Sequence, residues 1–101
     1  MTDYFVVEPC STSNALEIKL KGRRIDLRKA GEALSIIGTV AASTPVVLLS
    51  KIRDYSVSVY ASGRMIVKGE KKLQKKKVKE LAYEMLDVLE KHNAIMEVEK
   101  T

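Results

Sequence analysis

A two-layer α+β domain, an antiparallel sheet packed on helices, is the fold class this chain predicts, and three observations lead to it. Leu16, Ile18 and Leu20 alternate with Glu17, Lys19 and Lys21, the period-two pattern of a half-buried strand. Three more strand-like stretches, residues 46–52, 56–60 and 64–68, follow one another across connections too short for a crossover, which demands antiparallel hairpins. Two segments with apolar residues at spacings of three and four flank those strands and read as amphipathic helices.

The first strand is punctuated by Gly22. Asp26 then offers its side chain as an N-cap to a helix carrying Leu27, Ala30, Leu34 and Ile37, which ends near Gly38 at the C-terminal cap position. Residues 39–44 are small and read as a linker, with room for a further turn of helix. Pro45 forces an extended geometry on the residue before it and so opens the next strand. Turns at Arg53-Asp54-Tyr55 and Ala61-Ser62-Gly63 join the three hairpin strands. In the middle strand Val57 and Val59 alternate with Ser56, Ser58 and Tyr60; in the last, Met65 and Val67 alternate with Arg64, Ile66 and Lys68. One sheet face therefore packs and the other displays polar, aromatic and basic groups.

A long helix over residues 71–91 follows, its stripe formed by Leu73, Val78, Leu81, Ala82, Met85, Val88 and Leu89, with His92 and Asn93 as its C-terminal cap. The order is β-α-β-β-β-α. Residues 1–13 are an N-terminal arm or an edge strand, residues 14–93 the domain, and residues 94–101 a C-terminal tail or a short strand.

Length and composition narrow the function. A chain of 101 residues, 46% apolar and 31% charged, supports one hydrophobic core and is too apolar to be wholly disordered. The longest apolar runs, such as Val46 to Leu49, are far too short to span a bilayer, and Asp3 and Glu8 stand where a secretory signal would be basic and then apolar, so a cytoplasmic protein without a membrane partner is expected. Cys10 is the only cysteine and His92 the only histidine, which leaves no internal disulfide and no Cys/His set for zinc. The net charge of +5 gathers at Lys19, Lys21, Arg23, Arg24, Arg28 and Lys29, and again from Lys68 to Lys79. Such clusters suit a polyanion or an ordinary solvated helix face.

Two stretches resemble a known family. Leu20-Lys21-Gly22-Arg23-Arg24-Ile25-Asp26-Leu27 resembles the strand-to-helix passage of the TATA-box-binding protein, and Val57 to Gly69, with its Tyr60-Ala61-Ser62-Gly63-Arg64-Met65 centre, is similar to that family's hairpin. Val47 to Arg53 resembles the aliphatic strand that ends in an arginine-rich run. The likeness extends over residues 14–92 and covers one repeat where the family carries two, so the chain resembles a single-repeat relative of a small archaeal type.

The resemblance implies a curved sheet whose concave face lies in a widened minor groove, with phenylalanines wedged between base steps. Tyr60 falls at one wedge position and Pro45 near the other. Arg64 stands for a backbone-contacting lysine, Ile66 for an aliphatic groove-floor residue, Lys68 for a threonine and Ser58 for a groove-facing leucine. Lys51 and Arg53 match positions that approach phosphates, and Lys19 joins them as a generic phosphate contact. Glu17, expected on the same face, would repel phosphate.

Three function classes follow. The first is a non-catalytic module binding DNA or another nucleic acid through Lys19, Lys51, Arg53, Ser58, Tyr60, Arg64, Ile66 and Lys68, with two copies rebuilding a saddle by pairing their first strands, Leu16 to Lys21, as a homodimer. The second is a protein-interaction domain that grips an acidic partner through Lys72, Lys75, Lys76 and Lys79. The third, an enzyme, is disfavoured: no phosphate loop, paired nucleophile and base, or metal-spaced ligand set is present, so no cofactor is expected.

Overall fold

Alternation decides the sheet. The computed structural model describes residues 5–9, 15–69 and 74–97. In chain order the elements are β1 (Phe5–Pro9), β2 (Ala15–Leu20), β3 (Arg23–Ile25), α1 (Leu27–Ile37), β4 (Thr39–Ser43), β5 (Val47–Ile52), β6 (Tyr55–Tyr60), β7 (Arg64–Lys68), α2 (Lys75–Lys91) and β8 (Ile95–Glu97). Six strands form one antiparallel sheet in the order β1-β2-β7-β6-β5-β4, while β3 and β8 pair as a separate ribbon.

One face of the sheet carries Phe5, Val7, Leu16, Ile18, Leu20, Leu48, Ile52, Val57, Val59, Met65 and Val67, all buried under the helices. α1 lies against β4 and β5, α2 against β1 and β2, and the helices touch each other. Ser50 is the one buried polar side chain on that face among the described residues, and its hydroxyl donates to the Val57 carbonyl at 3.1 Å, which satisfies it. Phe5 meets Tyr83 of α2 edge to face at 5.0 Å between centroids, pinning β1 to the helix layer.

The helix ends follow from local chemistry. Asp26 Oδ1 accepts from the backbone N–H groups of Arg28 and Lys29, as its position before the apolar stripe predicts. At the far end of α2, Asn93 adopts the left-handed conformation with φ 56, its N–H donates to the Glu90 carbonyl and the Ala94 N–H donates to Leu89, a Schellman closure.

Three expectations need correction. Residues 39–43 form strand β4: they carry too little apolar surface to announce a strand, and it is pairing with β5 that makes them one. Pro45 does not open a strand, because Thr44 organises a turn there, accepting from Val46 and Val47 N–H groups through its hydroxyl, and β5 begins at Val47. Gly38 is the C-cap of α1, as its position after the apolar stripe predicts, in an extended conformation (φ −166); a Cβ there would lie 2.4 Å from the Lys51 carbonyl oxygen of β5. Most consequentially, β2 is not an edge, since β1 pairs with it along its full length, from Phe5↔Leu20 to Pro9↔Leu16, and takes the hydrogen bonds a second copy would have needed. Leu73 and Lys72, read as part of the second helix, lie outside the described residues, as do Cys10 and Asp3.

Candidate nucleic-acid interface

The sheet face turned away from the helices is built by the same alternation in its opposite phase. Pairing registers it into three cross-strand rows. The first runs Val6, Lys19, Arg64, Tyr60 and Val47; the second Glu8, Glu17, Ile66, Ser58, Leu49 and Ala42; the third Ala15, Lys68, Ser56, Lys51 and Thr39. Seven of the eight residues proposed from sequence, Lys19, Lys51, Ser58, Tyr60, Arg64, Ile66 and Lys68, share this face.

Arg53 does not. It sits in the β5–β6 turn with φ 55, and its guanidinium is paired with the Glu84 carboxylate of α2, 2.5 Å away on the helix side of the sheet. The turn needs one residue at positive φ, which places Arg53 past the last alternating position and swings its side chain around the sheet end.

Electrostatics divides the face in two. Glu8 and Glu17 stand directly opposite each other, an arrangement that destabilises by like-charge repulsion. Each is answered from the neighbouring row: Lys19 Nζ lies 3.3 Å from Glu8, and Arg64 Nε lies 2.5 Å from Glu17 Oε2. The Glu17 side chain is only 14% exposed, and that oxygen makes no aligned hydrogen bond, so Arg64 compensates it chiefly by charge. Lys51 and Lys68 in the third row have no ion-pair partner among the described residues. The β1–β2 end is thus internally neutralised, and the β7–β6–β5 part is net positive.

The Arg64 guanidinium also lies over the Tyr60 ring, 5.4 Å from its centroid, holding a half-exposed aromatic plane in place on the open face. Val47 and Leu49, the latter 42% exposed, form a small apolar patch on β5, and Ile66 stands two strands away on β7 across Ser58. Sequence reasoning missed Val47 and Leu49. They stand in the unbroken apolar run Val46-Val47-Leu48-Leu49, where only the alternation of Leu48, Ser50 and Ile52 against Leu49 and Lys51 separates the two faces. Pro45, the other expected wedge position, is in the exposed turn before β5.

A second cationic surface stands elsewhere. Lys75, Lys76, Lys77 and Lys79 are exposed at the start of α2, which has no acidic residue in its first turn and no side-chain cap from Gln74. Lysines there oppose the helix dipole, a cost of a few tenths of a kcal/mol each at most in water.

Chemically, the open face offers stacking, apolar contact and cations. No three His, Cys, Asp or Glu residues come together to hold a metal among the described residues, and no described helix is long and apolar enough to cross a membrane. No family model matches this chain, and neither does any curated protein or solved structure.

Proposed function

We propose that this protein is a non-catalytic nucleic-acid-binding module that uses the open sheet face, as the resemblance to one repeat of the TATA-box-binding protein implies. The observation that carries it is the cluster of Tyr60, Arg64 and Ile66 on one solvent-facing surface with Lys51 and Lys68, which have no ion-pair partner among the described residues. An aromatic plane and an aliphatic neighbour can meet bases, and lysines at the margin meet phosphates. The Glu8–Glu17 pair disfavours phosphate at the β1–β2 end, so the strand or duplex runs along β7, β6 and β5.

Fluorescence anisotropy with labelled duplex, single-stranded and A·T-rich duplex probes, at low and near-physiological salt, tests this. Binding that weakens steeply with salt and is lost in Tyr60→Ala supports the proposal. An absence of binding at low salt removes it.

A second reading, an acidic protein partner gripping the α2 lysines, is favoured by one observation: four exposed lysines surround a helix start that has no side-chain cap. It predicts that Lys75→Glu with Lys79→Glu abolishes binding to acidic polypeptides and leaves nucleic-acid affinity within about twofold.

A further inference from the structure

The sheet has two edges, and they are built differently. β1 carries Glu8, held by Lys19, and Pro9, which has no N–H to offer an incoming strand. Charge and proline are the ordinary means by which an edge is kept from pairing. β4, at the other end, reads Thr-Val-Ala-Ala-Ser, has neither, and is exposed at every position except the half-buried Val40.

We propose that β4 is where two copies of this chain join, each β4 pairing antiparallel with the other so that the two sheets continue as one. The occupant follows from charge. Residues 35–50 contain no Asp, Glu, Lys, Arg or His in a chain that is 31% charged. A polyanion or an acidic protein finds no cation on β4 itself, and two bodies that each carry +5 meet there across an uncharged strand, with Arg28, Lys29 and Glu32 set back in the cavity that Val40 and Ser43 also line.

It follows equally from self-complementarity. Val46 and Ile36, 67% and 64% exposed, are the two most exposed large apolar side chains among the described residues, and they flank β4 in sequence on its two sides. Antiparallel pairing centred on Ala41 sets the Thr39 end of one copy against the Ser43 end of the other. The two-fold axis then sets the end of β4 that follows Ile36 in each copy against the end that precedes Val46 in its partner, the two apolar residues adjoining the paired ends in sequence. A bulge between Val40 and Ala42 interrupts the β4 ladder to β5 and limits the added pairing to a short run on either side of Ala41. Association through so small a contact is concentration dependent.

Sedimentation across the micromolar range, without nucleic acid, reads this directly and does not depend on the nucleic-acid proposal. The wild-type mass should rise from one chain toward two. Ala41→Lys, which places like charges across the axis, should stay monomeric with an unchanged melting temperature, and Val46→Ser should weaken association by roughly tenfold. Amide exchange should slow at Val40 to Ser43 on concentration and stay constant at Phe5 to Glu8. A wild type that stays monomeric throughout, an Ala41→Lys variant that associates like the wild type, or new protection at β1 instead of β4 overturns the proposal.

Discussion

The two faces of the sheet are made by the same strands from alternate residues, yet they obey different rules. On the helix side, Leu48, Val57, Val59, Met65 and Val67 are shut from water and every substitution meets packed neighbours. One residue along, Leu49, Ser58, Arg64, Ile66 and Lys68 face solvent, and what they can touch is limited to cross-strand partners. Stability should therefore reside in one phase of the alternation and binding in the other.

The largest expected effect comes from splitting neighbours in β5. Leu48→Ala should cost about 3 kcal/mol of unfolding free energy by the loss of burial plus the cavity left behind, while Leu49→Ala should stay under about 1 kcal/mol. Urea denaturation of the two variants decides it, and equal losses would erase the distinction between the faces.

Gly63→Ala comes next. Gly63 sits at φ 97, and a Cβ there would lie 2.3 Å from the Arg23 carbonyl oxygen, so the β6–β7 turn and the β2–β3 passage would have to separate. A loss of about 2 kcal/mol is expected, visible as a lower melting temperature; an unchanged one would mean the turn has a second accessible conformation.

Tyr60→Ala should act in the opposite sense. Its ring packs on Arg64 at the surface, so stability should change little, while nucleic-acid affinity should fall by roughly tenfold or more for the loss of one stacking plane. Measuring both on one sample separates a binding surface from a merely structural pair.

The smallest effect sharpens the electrostatic division of the open face. Glu17→Gln removes the carboxylate that holds Arg64 and the like-charge contact with Glu8, so affinity for nucleic acid should rise a fewfold at low salt and the gain should shrink as salt is added. A fall in affinity would show that Glu17 positions Arg64 for contact instead of withholding it.

Much of this was legible in the residues. Alternation at Leu16, Ile18 and Leu20, and again at Met65 and Val67, assigned strands and faces correctly because a half-buried strand must repeat every second residue. Asp26 and Asn93 marked helix ends because each supplies a partner or a backbone conformation the helix terminus needs. β4 was not legible, since Thr39 to Ser43 form a strand only through the bonds β5 offers them. Arg53 looked like its neighbour Lys51, and only the turn geometry sent it to Glu84 on the other side.

By itself, then, the sequence determined an antiparallel α+β domain, the two helices, and which side chains of each strand share a face, because periodicity and capping are local properties of consecutive residues. Tertiary structure alone decided how the strands are ordered. It placed β1 over the outer edge of β2, left β4 open at the other end, and set Glu8 against Glu17 beside Lys19 and Arg64. Those outcomes depend on contacts between segments far apart in the chain, which no local pattern encodes.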